Sequence, residues 1–200
     1  MQLGQMKNRT SCNVPKRRVP SCGMQSGANR PRTLADRSTA ELEGAFARGV
    51  PPDPALDGRY DGALLHLTLG PGADQAFSGL LRLWLPWLGK RFDAGSASGE
   101  NVFDMSAYRA GERLTPAPYR AWWPEDVSSY RALRFTTSTG AGRLDPGLEV
   151  VRIDYDLPEN PPLLRRIVDE LVAVQAGVYL GQAILRRGDG GRRLAWFTLE

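Results

Sequence analysis

The sequence predicts an α+β domain made mainly of antiparallel β-structure, with six or seven strands and two or three covering helices. Three observations point there. From Tyr130 onward apolar residues recur with a period of two, as in strands with one buried face. Gly-, Pro- and Asp-containing turn segments separate those runs. No internal repeat and no strand–helix–strand rhythm occurs, which argues against a Rossmann sheet or a (β/α)-barrel enzyme.

The chain has 200 residues, 42% of them apolar, enough for one domain with a real core. Its 26 cationic and 22 acidic side chains give a net charge of +4 and a pI near 9.3. Seven of those cations and no acid fall in residues 1–32 (Lys7, Arg9, Lys16, Arg17, Arg18, Arg30 and Arg32), so residues 33–200 carry a net −3. The basic pI belongs to the leading segment. A nucleic-acid partner needs cations gathered on a folded face among stacking aromatics, and none is expected here. Arginine outnumbers lysine 23 to 3. With abundant Ala and Gly, this reads as the bias of a GC-rich bacterial genome, so single arginines carry no functional signal.

Residues 1–32 lack periodic apolar positions and cannot offset the entropy of ordering. They are expected to be a disordered basic tail, with 33–200 as the single folded domain. Cys12 and Cys22 both lie in that tail, so the domain is neither a disulfide scaffold nor a thiol enzyme. No run reaches the roughly 18 apolar residues of a membrane helix. The nearest, Leu80–Leu88, is broken by Arg82 and Pro86. Without a signal-peptide core either, a cytoplasmic protein is the expectation. The oligomeric state stays open.

Ser38-Thr39-Ala40-Glu41 fits a capping box, opening a helix with Leu42, Ala45 and Phe46 on one side that ends near Gly49. Pro51-Pro52-Asp53-Pro54 forces an extended link. A strand follows from about Gly58 to Leu69, with Tyr60, Leu64 and His66 on one face and Leu65, Leu67 and Leu69 on the other. Ala73–Leu85 reads as a second helix, apolar almost all round, seated between layers or over an opening. Residues 94–128, with Phe103, Tyr108, Tyr119, Trp122 and Trp123, read as a long aromatic covering loop. Strands are expected over Tyr130–Thr137 and Glu149–Asp156, the latter alternating Val151, Ile153 and Tyr155 against Arg152, Asp154 and Asp156. Pro161–Glu170 reads as a short helix. Leu171–Gln175 and Val178–Arg187 form a hairpin about Ala176-Gly177, and Arg193–Leu199 is the last strand.

Gly58-Arg59-Tyr60-Asp61-Gly62, followed by Gly89-Lys90-Arg91-Phe92-Asp93, resembles the bacterial GXWXG family. Ile153-Asp154-Tyr155-Asp156-Leu157-Pro158 and Val178-Tyr179-Leu180-Gly181 resemble the small companion domain of unknown function that follows it. The resemblance covers most of residues 39–200, and Tyr60 stands where the family name has Trp. It implies a lipocalin-like β-barrel or half-barrel, and no particular reaction, substrate or cofactor.

Five residues are expected to line a ligand site: Tyr60, His66, Lys90, Phe92 and Tyr179. Gly58 and Gly62 share a face with Tyr60 and leave room for its ring to lie over the strand, either as the floor of a ligand site or as a packing plug. His66 is the one histidine, a general base or simply a hydrogen-bonded core or rim residue. Lys90 is the one lysine after residue 16, and Lys90-Arg91 would hold a carboxylate or phosphate head group, or else mark a solvated strand end. Asp154 and Asp156 lie roughly 7 Å apart on one strand face. That face is expected to be the solvent side, but in a polar lumen Asp154 becomes a candidate base. His66 and Asp154 are thus the candidate catalytic groups. With one histidine and no cysteine in the domain, no metal site is expected, and no cofactor. Phosphate-loop, serine-elbow and Ser-His-Asp patterns are missing too.

These features predict a barrel that binds a small apolar or amphiphilic molecule. One alternative is a small barrel enzyme doing acid–base chemistry, such as cyclisation or isomerisation, on that molecule. Another is a ligand-free interaction module. Polar groups in hydrogen-bond reach around a cavity would favour the enzyme, a dry apolar cavity the carrier, and a filled core the interaction module.

Overall fold

Eight strands close into an antiparallel barrel. In chain order the elements are one helix, α1 (Thr39–Ala47), and nine strands: β1 (Gly58–Leu67), β2 (Trp87–Asp93), β3 (Ser98–Asp104), β4 (Trp122–Pro124), β5 (Ser129–Ala141), β6 (Glu149–Asp154), β7 (Ile167–Gln175), β8 (Val178–Arg187) and β9 (Gly190–Leu199). The circuit runs β1-β2-β3-β5-β6-β7-β8-β9 and returns to β1, every pair antiparallel. Closure leaves no free edge in the circuit. β4 stands outside it, adding to β5 opposite residues 130–132. The fold is mainly β and lipocalin-like in kind. This computed structural model describes residues 33–53, 55–68, 86–108 and 122–200. The expected tail with both cysteines, and the expected helix over 73–85, lie outside the described residues. No helix among the described residues is long and apolar enough to cross a membrane.

The capping box forms as expected: the Ser38 amide donates to Glu41 Oε2 at 2.8 Å, and the Glu41 amide donates to Ser38 Oγ at 3.4 Å. The helix lies on the outer wall, where Leu42, Ala45 and Phe46 bury against Val150, Val172, Leu180 and Trp196. Each large apolar side chain removed from water there contributes about 1.5–3 kcal/mol. β7 to β9 are therefore covered on both faces, by α1 outside and by the lumen inside, and long stretches of each strand are continuously buried. Among the described residues α1 is the single α-helix.

Pro161–Glu170 is not helical. Only Leu164–Arg166 makes one 3-10 turn, and β7 begins at Ile167. Pairing with both β6 and β8, favoured by the β-branched Ile167 and Val168, overrides local helical spacing. Nor is 94–128 a continuous irregular cover, because it contains β3 and β4. The inward positions of β3 include Gly99 and Asn101, so no apolar alternation announces the strand. A Cβ on Gly99 would meet the Phe135 ring at 2.5 Å, so the glycine is where that ring packs.

Candidate functional site

Three β-bulges decide which side chains face the lumen. In β1, Leu64 pairs with Phe197 and His66 with Trp196, so Leu65 is the extra residue and the alternation reverses after it. In β2 the same happens between Trp87 and Gly89, which turns both Trp87 and Lys90 inward. In β5 the bulge is Leu133, whose φ of 58° is in the left-handed region where a branched side chain is strained. Bulges of this kind re-aim side chains beside functional sites.

The residues so aimed form one buried cluster. Lys90 (2% exposed) and Asn101 are directly opposed on β2 and β3. Lys90 Nζ lies 2.9 Å from Asp169 Oδ2 on β7 and donates to Asn101 Oδ1 at 2.8 Å and to the Tyr155 hydroxyl. Tyr155, just past the end of β6, donates in turn to Asp169 Oδ2 at 2.9 Å. The Asn101 amide is fully used. Its Oδ1 also accepts from Trp87 Nε1 at 3.1 Å, and its Nδ2 donates to the Leu133 carbonyl at 3.0 Å and to Tyr155 at 3.2 Å. The strained bulge thus presents the carbonyl that fixes the amide.

Four rings surround the cation: Phe135 and Tyr155 at 5.2 Å, and Trp87 and Phe197 at 5.5 Å, from Nζ to ring centre. A cavity of about 20 Å³ adjoins the cluster, bounded by Trp87, Phe103, Leu133, Leu164, Ile167 and Phe197 on its apolar side. That is space for one water or the end of a ligand. Asp169 lines it, and Asp169 Oδ1 is buried without a partner among the described residues. Across the wall from Asp169 the inward residues are Ala183 and then Ala195, which leave the carboxylate room.

Burial lowers the Lys90 ammonium from its usual 10.5, with the Asp169 carboxylate acting the other way. Burial also pushes the Tyr155 phenol well above 10.0, and Asp169 adds to it. Tyr130, stacked on Phe103 beside this region, is pushed up to about 12, mainly by burial. A phenol raised in the folded state keeps its full contribution to stability below the unfolded value of about 10 and loses it as pH climbs through the folded value. Lys90 acts in the opposite sense below 10.5, so the phenol effect is read above that pH. Stability should fall between about pH 10.5 and 12. An ultraviolet titration should show Tyr130 and Tyr155 ionising well above pH 10, and one tyrosine fewer in that late class in Tyr155→Phe. Early, reversible ionisation of all the tyrosines in the folded protein would contradict this burial.

The expected site residues divide. Tyr60, Lys90, Phe92 and Tyr179 face the lumen: Tyr60 is paired with Lys90 and makes edge contacts with Phe92 at 5.7 Å and Tyr179 at 5.6 Å. These three rings plug the barrel beside the cluster and do not line the cavity. Gly62 is covered by the Trp87 indole, not by Tyr60. His66 leaves the Tyr60 face because of the Leu65 bulge; its Nε2 meets the Arg37 carbonyl at 2.8 Å and ties the entry of α1 to β1. Asp154 points out of the barrel and ion-pairs with Arg186. Lys90 and Arg91 do not act together, since neighbours on a strand face opposite ways: Arg91 pairs outside with Glu125 at 3.0 Å. Asp169, Tyr155 and Asn101 were not expected in the site. For Asp169 a signal existed: two acids interrupt the apolar run Ile-Val-Asp-Glu-Leu-Val, and both are buried. Glu170 takes the outer face, accepting from Gln182 at 2.9 Å, while Asp169 takes the lumen.

The chain matches no protein-family model, and no curated protein matches it. It is similar to a solved structure described as a crystal structure of a protein from Thermomonospora curvata, with 19% identity and a TM-score of 0.49 over 82% of this chain and 86% of that one.

Proposed function

We propose that the barrel binds a small, largely apolar molecule and orients it by one neutral polar group, a hydroxyl or carbonyl, at the Lys90–Asn101–Tyr155–Asp169 cluster. The observation that carries this is Asp169, a buried residue of the cavity wall whose Oδ1 meets no donor among the described residues. Leaving such an acceptor unmet costs about 1–3 kcal/mol, which a donor from the lumen recovers. An apolar wall with a few convergent polar groups is the make-up of a small-molecule site. The cavity of about 20 Å³ admits only the polar end of the ligand, so the rings beside it part to seat the carbon chain.

An anionic head group, the first expectation for Lys90, suits this site poorly. Asp169 already balances the lysine, and a second carboxylate would be buried without a counter-charge. Acid–base chemistry on the bound molecule is a second reading, favoured by the polar groups in hydrogen-bond reach of the cavity; Tyr155 and Lys90 then replace His66 and Asp154 as its agents. Kinship with the GXWXG family is likewise a proposal. Its support is that the short motifs converge: Tyr60 pairs with Lys90, and Lys90 meets Tyr155.

Calorimetric titration with 1-butanol and 1-hexanol, and with butanoate and hexanoate, tests the reading. Saturable binding of the alcohols is expected, with the carboxylates at least tenfold weaker, or about 1.4 kcal/mol. Tighter binding of the carboxylates would reverse the assignment, and no saturable binding of any of them would remove it.

A further inference from the structure

We propose that Lys90 condenses with a small aldehyde or ketone to form a protonated imine, so that the barrel captures its ligand covalently. The inference rests on the ligand site described above and names the chemical class it takes.

Three features of the cluster support it. First, Lys90 is one of three lysines in the chain and sits 2% exposed inside the barrel, where it serves no exposed anion. A buried ion pair adds little net stability compared with apolar residues of the same volume, so stability alone does not explain it. Second, the amine is held ready to give up its proton: Asp169 Oδ2 is 2.9 Å away, and the Tyr155 hydroxyl touches both Nζ and that same oxygen. A desolvated lysine is the form in which this side chain becomes a nucleophile, and burial pushes Lys90 that way. Third, the four rings at 5.2–5.5 Å suit a cation of either kind, ammonium or iminium.

The step balances within the cluster. The ammonium passes a proton to Asp169, and the freed electron pair forms the C–N bond as the carbonyl π pair moves to oxygen. That oxygen takes the proton, giving a carbinolamine. A second nitrogen proton then follows through Tyr155 and Asp169, the C–O bond breaks, and water leaves. One proton stays on the iminium nitrogen. Of three ammonium protons two depart as water, nothing is oxidised or reduced, and the Asp169 carboxylate remains as the counter-ion. Asp169 Oδ1, which meets no donor among the described residues, is the acceptor available to the carbinolamine hydroxyl.

The test uses the full chain, incubated at neutral pH with butanal and cyanoborohydride, which reduces the imine to a stable butyl-lysine. Peptide mass mapping then compares Lys90 with Lys7 and Lys16 in the same sample. The expected result is a butyl group on Lys90 that forms at least tenfold faster than on Lys7 or Lys16, saturates with butanal concentration, and is slowed by 1-butanol. Because the wild-type protein is mapped directly, no variant needs to fold. If 1-butanol binds saturably while Lys90 stays unmodified, or reacts no faster than Lys7, the ligand site stands and the imine is overturned. If neither 1-butanol nor butanal binds, the site reading fails and the imine fails with it.

Discussion

Lys90→Met should lower the unfolding free energy by about 3–5 kcal/mol, because it strands the Asp169 carboxylate as an uncompensated charge in the barrel. Both partners are almost fully buried, at 2% and 1% exposure, and 2.9 Å apart. Replacing both, as Lys90→Met/Asp169→Leu, should restore most of that loss, since apolar side chains of similar volume remove the charge and the polar demand together. Asn101 and Tyr155 still bond each other in the double variant, which keeps their polar atoms satisfied. Denaturant unfolding of the four proteins closes the cycle. A single variant that costs under about 1 kcal/mol would mean that water reaches Asp169 or that the pair is not formed.

Gly89→Ala is the second large effect, expected at about 3–5 kcal/mol from backbone strain and overpacking together. Gly89 has φ +146°, and a Cβ there would lie 2.0 Å from the Tyr60 carbonyl oxygen and 2.9 Å from the Gly62 nitrogen. Both are backbone atoms of β1, so no side chain can swing aside. Gly190→Ala is the matched control. Nothing lies within 4 Å of its Cβ, and a change within about 0.5 kcal/mol is expected. Comparable losses in both would show that the β1–β2 approach is looser than the geometry states.

The features that were legible in the sequence are those written by local chemistry. The Ser38–Glu41 capping box needs only four residues, and the Val151-Ile153-Tyr155 alternation runs unbroken along β6 to its end. The Ala176-Gly177 turn shows directly, with Gly177 at φ +71°. The bulges are not legible, because an inserted residue leaves no mark until the partner strand is known. A period of two carried through Leu65 puts His66 beside Tyr60, and carried through Leu88 it separates Trp87 from Lys90. The first displaces an expected site residue, and the second sets the lysine beside the indole. Asn101 is hidden for a related reason: it belongs to a strand whose inward residues answer to Phe135 and Lys90, not to an apolar pattern. Asp169 was legible in principle, since an acid inside an apolar strand must find a partner, and the lone domain lysine was already conspicuous.

Asp169 Oδ1 is the proposed anchor for a neutral ligand, and a crystal of the full chain soaked in 1-butanol measures that directly. The alcohol oxygen should lie within about 3.2 Å of Asp169 Oδ1, with its carbon chain against Trp87, Phe103 and Phe197 and the Lys90–Asp169 pair intact. Butanol found only on the outer surface, or Asp169 Oδ1 already bonded to a protein donor, would contradict that role for Asp169.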